Sequence, residues 1–245
     1  MQLIEEPPPG PELIRSRYDR LVEALRAAAA SADRDPDGFR IVAVTKGFGV
    51  EVVRAALAAG LTRLGENRVQ EAAVKVVAAP HAEWHMVGQL QSNKVRVALR
   101  LFATIHSVDS VALLQRVDRI AHDDGHAPRI LLQVDMSRRA GRGGFAVDEF
   151  EGLVADRSSP LAKALGSLAA ARPVGLMTIA PLDPGSERGA FARLRQLRDR
   201  LRETSGLELP ELSMGMTADA DGAVREGATL VRIGTALFGP RPEHP

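Results

Sequence analysis

From residue 40 onward, short apolar runs rich in β-branched residues trade places with longer stretches whose apolar positions recur at helical spacing. RIVAVT at 40–45 precedes a helix-like stretch from Val50 to Ala59, which Gly60 stops, and then comes the strand-like TRLGE. WHMVG at Trp84 to Gly88 leads into the helical NKVRVALRLF, and TIHSV at Thr104 to Val108 leads into a helix through Leu113 to Ala121. RILLQVDM at Arg129 to Met136 is followed by a glycine-rich loop and a helix, and PVGLMTIA at Pro173 to Ala180 by a helix over Phe191 to Leu201. ELSMGM at Glu211 to Met216 and a helix near Asp219 to Glu226 precede the closing LVRIGTALFG. Upstream, Leu13, Tyr18, Leu21, Val22 and Leu25 mark an amphipathic helix within Glu12 to Ala32.

Strands that read as continuous apolar runs and alternate with helices predict a parallel sheet buried on both faces. Eight candidates fit an α/β fold of the closed (β/α)8 TIM-barrel type with an additional N-terminal helix. An open doubly wound sheet is the alternative, and the lack of a GxGxxG or Walker-type turn after the first strand weighs against it. No linker divides the chain, and its one proline-rich run, Glu6 to Pro11, precedes the first element. The expected organisation is a flexible tail over residues 1–11 and a single domain over 12–245.

Composition narrows the function. The 32 Lys and Arg nearly balance 31 Asp and Glu, and aromatic residues make up only 4%, which disfavours nucleic acid as a partner. With no cysteine there is no disulfide framework, thiolate nucleophile or zinc–cysteine site. The start MQLIEEPPPG has no signal-peptide pattern, and no apolar run is long enough for a bilayer, so a cytoplasmic protein that avoids membranes is expected.

In such a barrel the chemistry collects at the C-terminal ends of the strands. Those ends carry Lys46, Glu66 and Asn67, Gln89 and Asn93, Ser107 and Asp109, Met136 and Ser137, Thr178, Ser213 and Met216, and finally Arg232, Gly234 and Thr235. A lysine at a desolvated barrel mouth has a lowered pKa and can form a Schiff base with an aldehyde; in solvent it is merely a rim cation. Arg232 inside an apolar strand must pair with something, and Gly234-Thr235 offers backbone amides and a hydroxyl for a phosphate, with Ser213 a further donor. The plain alternative is an Arg232 salt bridge with Gly234 serving only close packing. Amine, phosphate cradle and arginine together suit pyridoxal 5′-phosphate; a Schiff-base phosphosugar aldolase satisfies the first two. His122 and His126 have metal-binding spacing, but no third ligand follows, so no metal is expected. The RRAGRGGF loop, with Arg138, Arg139 and Arg142, is either a cover for an anion or a solvated loop, and FARLRQLRDRLRE reads as a helix with a charged outer face.

The motifs AVTK, GENRVQE, WHMVGQLQSNK, HSVDS, GLMTIAP, LSMGMTAD and VRIGTALFG, in that order from about Ile41 to Gly239, resemble the pyridoxal 5′-phosphate homeostasis protein family. These are single-domain relatives of the alanine racemase N-terminal barrel. The resemblance implies the cofactor as an internal aldimine on Lys46, its phosphate at Ser213, Gly234 and Thr235, Arg232 facing the pyridine nitrogen, and Asn67 and Met216 near the ring. Three features depart from the family: Gln89 where histidine is common, Thr217 in SMGMT, and a longer, alanine-rich segment from Asp156 to Pro173.

A permanent cation at the ring nitrogen weakens the cofactor as an electron sink, and racemisation also needs a second acid/base opposite the lysine. The only tyrosine is Tyr18, on the N-terminal helix, and no second domain of the racemase kind is expected after Pro245. The expected role is therefore a carrier that stores and delivers pyridoxal 5′-phosphate to dependent apo-enzymes, as a monomer, with no catalytic residues of its own. A weak racemase using His85 or Ser107 as second base is the alternative.

Overall fold

A computed structural model describes residues 8–137, 143–181, 185 and 187–241. Arg138, Arg139 and Arg142 of the glycine-rich loop lie outside the described residues. Nine strands occur among those described: β1 Arg40–Val44, β2 Arg63–Glu66, β3 Glu83–Met86, β4 Thr104–Val108, β5 Arg129–Asp135, β6 Phe145–Ala146, β7 Arg172–Met177, β8 Glu211–Ser213 and β9 Leu230–Ile233. Eight of them pair in the order β4-β3-β2-β1-β9-β8-β7-β5, and β5 returns to β4, so the sheet closes. Every pairing is parallel. The two-residue β6 pairs only with the end of β5. This is the (β/α)8 barrel that the alternating pattern predicts.

The helices are α1 Pro11–Ala30, α2 Val50–Ala58, α3 Val69–Ala78, α4 Val95–Leu101, α5 Val111–Asp124, α6 Val147–Ala155, α7 Pro160–Gly166, α8 Glu187–Ser205, α9 Ala220–Arg225 and α10 Thr235–Phe238. Helix α1, the addition to the barrel, packs against α2, α9 and α10. It buries Ile14, Leu25, Ala28 and Ala29 along one stripe, as the helical period requires. The alanine-rich segment after Asp156 supplies α7, whose start is fixed by Ser159 accepting from the Ala162 amide and by Pro160 at the first turn.

Because side chains alternate across a strand, each barrel strand feeds two cores. Ile41, Ala43, Leu64, Trp84, Ile105, Ile130, Leu132, Leu176, Val231 and Ile233 join the large cluster between sheet and helices. Val42, Val44, Val87, Leu131, Met177 and Leu230 form a much smaller cluster on the inner face. The rest of the interior is polar: His85, His106, Ser213 and Arg232 are all buried there. Burying such groups costs free energy unless each finds a partner, so their hydrogen bonds carry the information about the site.

Candidate functional site

The strand register sets the depth of each side chain. Val42 pairs with Arg232 and Ala43 with Ile233, so Gly234 follows level with Val44, and Lys46 stands one inward step above it. At this end of the barrel lies a cavity of about 470 Å³. Lys46, Asn67, Met216, Arg232, Gly234 and Thr235 all line it, with Val44, Val87, Gln89, Gln133, Ile179, Thr217 and Arg241 among the others. Six of the seven residues singled out from the sequence therefore meet in one hollow.

Ser213 does not join them. Its side chain is fully buried, and its oxygen lies 2.7 Å from Nη1 of Arg232 and 2.8 Å from Nδ1 of His106. Strand β8 ends there, and the chain reaches the rim only after turning at Gly215, whose φ of 89° favours glycine. A Cβ on Gly215 would sit 2.5 Å from that of Ala223, so the turn excludes side chains on steric grounds as well. Thr217, on the far side of this turn, lines the cavity where Ser213 does not. Asp219 braces the turn by accepting from the Met216 amide at 2.6 Å.

Arg232 is the most deeply buried cation in the site. Nη1 donates to Ser213 Oγ and Nη2 to the Thr178 carbonyl at 2.8 Å, both neutral acceptors. Burial lowers its pKa to about 10, which leaves it charged at neutral pH. Lys46 is half-buried, and its pKa is lowered first by that desolvation and then by the cations Arg241 and Arg232, with Glu66 opposing. A larger share of its amine is therefore free of protons than in solvent. The Arg241 side chain lies over Gly47, where an added Cβ would come 2.9 Å from its Cδ. Residue type and spacing gave no signal for Arg241, which lies just beyond the last helix.

Beneath Lys46 a second buried group holds the ends of β1, β2 and α3 together. Glu66 Oε1 accepts from Thr45 Oγ1 and from Lys75 Nζ, each at 2.6 Å, and Lys75 also donates to the Thr45 carbonyl at 2.8 Å. Desolvation raises the Glu66 pKa, and the two donors act against that rise. The sequence marked Glu66 as a strand-end residue of the mouth, but its side chain is spent on this anchor. His85 and Ser107 are likewise buried and do not line the cavity, and Tyr18 sits on α1 beneath the Arg15 guanidinium.

The arrangement is a hollow with one nucleophilic amine, a buried cation on its floor, a second cation at its rim, and a glycine-threonine turn. It suits an anionic carbonyl compound. Comparisons with known proteins bear on which one. The family model of the alanine racemase N-terminal domain matches residues 17–242. The pyridoxal phosphate homeostasis protein of Pseudomonas aeruginosa is 40% identical over 235 residues, covering 93% of this chain and 96% of that protein. That of Synechocystis sp. is 38% identical over 211 residues, 84% of this chain and 93% of its own. Among solved structures, PipY of Synechococcus elongatus with PLP bound superposes with a TM-score of 0.74 at 38% identity, covering 88% of this chain and all of that one. The alanine racemase of Streptomyces coelicolor, at 24% identity and TM-score 0.70 over 95% of this chain and 59% of its own, shares the fold. The chain thus belongs to the pyridoxal phosphate homeostasis protein family, within the wider family of the alanine racemase N-terminal domain.

Proposed function

We propose that this protein binds pyridoxal 5′-phosphate in the barrel-mouth cavity, holds it covalently on Lys46, and serves its storage and delivery inside the cell without strong catalysis of its own. The observation that carries the reading is Lys46, a half-buried amine whose pKa is lowered by desolvation and two arginines, at the wall of a hollow large enough for a small cofactor. When bound, the cofactor supplies an aldehyde and a phosphate. Lys46, as an unprotonated amine, would be the nucleophile that holds that aldehyde, with water as the leaving group.

The other lining residues fit the remaining groups. Gly234 and Thr235 open α10, where backbone amides have no intrahelical acceptor, and Thr217 adds a hydroxyl; these hold the phosphate with Arg241 as counter-cation. Ser213 acts from below, by fixing Arg232. Arg232 faces the pyridine nitrogen and, as a permanent donor, disfavours a proton there. Asn67 and Met216 flank the ring. Among the described lining residues, none but Lys46 is suited to exchange a proton at neutral pH, so the second acid/base that racemisation needs is not at hand. The cavity is built from the ends of one chain's own strands, which supports function as a monomer. Recipients in this reading are apo-enzymes that require the cofactor.

Titration of purified protein with pyridoxal 5′-phosphate, followed by its visible absorption and by assay with alanine and other amino acids, tests the proposal. A saturable band in wild type that Lys46→Ala lacks, without turnover, is the expected result. No band removes the cofactor reading, and steady racemisation makes the protein an enzyme.

A further inference from the structure

A continuous line of polar side chains crosses the barrel from the cavity floor to the opposite end, through a space that TIM barrels ordinarily fill with aliphatic residues. Arg232 Nη1 lies 2.7 Å from Ser213 Oγ, Ser213 Oγ 2.8 Å from His106 Nδ1, His106 Nε2 2.8 Å from His85 Nδ1, and His85 Nε2 3.3 Å from Glu83 Oε1. The contributors are β9, β8, β4 and β3, and the members between the two charged ends are entirely buried.

We infer that His106 is a positioning residue for Arg232, the middle of a one-way hydrogen-bond relay that starts at Arg232 and ends at Glu83. The inference rests on the proposed role of Arg232 at the cofactor ring. Its polarity follows from what each group can give. A guanidinium only donates and a carboxylate only accepts, so the two ends are fixed. Nε2 of His85 therefore carries a hydrogen toward Glu83, and in the neutral ring its Nδ1 accepts from His106 Nε2. Nδ1 of His106 is then a bare lone pair that takes the Ser213 hydroxyl hydrogen, which leaves the serine oxygen free to accept from Arg232.

In that arrangement each hydrogen from Arg232 to His85 Nδ1 has an acceptor, with one tautomer for each ring, and the final step to Glu83 is a longer contact of 3.3 Å. Burial, reinforced by His85, Arg232 and Arg129, holds the His106 pKa well below its ordinary value, so the ring stays neutral. Glu83, gripped by His85, Arg63 and Arg129, is held ionised with a pKa of about 2.

Long-range nitrogen–proton NMR of the ligand-free protein reads the tautomers directly. The relay predicts His106 neutral with its hydrogen on Nε2 at pH 7.5; a hydrogen on Nδ1, or a cationic ring, overturns it. Dissociation constants for pyridoxal 5′-phosphate give the functional arm. His106→Phe, which fills the space without accepting, should weaken binding about tenfold, the size of one hydrogen bond to a charged group. His106→Asn, whose amide oxygen can accept from Ser213, should recover most of that loss. Equal weakening by both variants, with both folded by thermal unfolding, contradicts positioning. Wild type that fails to bind the cofactor sinks the function reading but leaves the NMR result to judge the relay.

Discussion

The two ends of this barrel carry the same kinds of charge and treat them in opposite ways. At the N-terminal end three arginines meet carboxylates: Arg63 and Arg129 lie 3.0 and 3.5 Å from Glu83, and Arg129 and Arg40 lie 2.7 and 2.5 Å from Glu211. At the C-terminal end, among the described residues, Lys46 and Arg241 have no ion pair and Arg232 has only neutral acceptors. The closed end spends its cations on stability. The open end pairs Lys75 with Glu66 beneath the mouth but leaves the three cations that line the cavity uncompensated, which depresses the Lys46 pKa and suits an incoming anion. Barrels place stability and function at opposite faces in general, and here the division is written in how arginines are paired.

Breaking a buried pair next to the mouth should have the largest effect. Lys75 and Glu66 have side chains 6% and 0% exposed, so Lys75→Met should destabilise the fold by about 3 kcal/mol in urea unfolding, because Glu66 is left buried and unpaired. Lys75→Met with Glu66→Gln should recover part of that loss, since no uncompensated charge remains.

Acid should act through the closed end next. Glu83 has a folded pKa of about 2 against an unfolded value near 4.3, so its contribution is complete above that unfolded value and is lost as pH falls toward 2. His106 adds to the same trend: its folded pKa is depressed, so the unfolded chain binds the extra proton and stability declines as pH drops through about 6.5. Urea midpoints measured from pH 8 to pH 3 should fall in two stages, and Glu83→Gln should flatten the lower one.

The smallest effect on stability, and the sharpest contrast, belongs to Arg241. Arg241→Ala should change unfolding free energy by no more than about 0.5 kcal/mol, as for an ordinary exposed site. It should nevertheless raise the Lys46 pKa, because one of two depressing cations is gone, and so move the pH dependence of pyridoxal 5′-phosphate capture toward alkaline values. Capture rates across pH in both proteins check the sign.

Much of the fold was legible because parallel strands buried on both faces leave continuous apolar runs, and all eight runs became barrel strands. Lys46, Asn67, Met216, Arg232, Gly234 and Thr235 were legible as the residues where those runs end. What failed was depth. Ser213 closes an apolar run, but β8 is three residues long and the turn at Gly215 carries the chain onward to the rim. His106 was passed over in favour of its neighbours because only the register shows that it points inward toward a serine 107 positions away. The α7 helix was announced by Ser159-Pro160, a cap and first-turn pair inside a segment that otherwise read as an alanine-rich insertion.

The central claim is that the open end holds pyridoxal 5′-phosphate on one particular amine. Borohydride reduction of the loaded protein fixes any C=N bond, and peptide mapping by mass spectrometry then reports which lysine carries the added mass. A single modified site at Lys46 is the predicted result. Label on Lys94 or Lys163 instead, or scattered over several lysines with Lys46 unmodified, would contradict it.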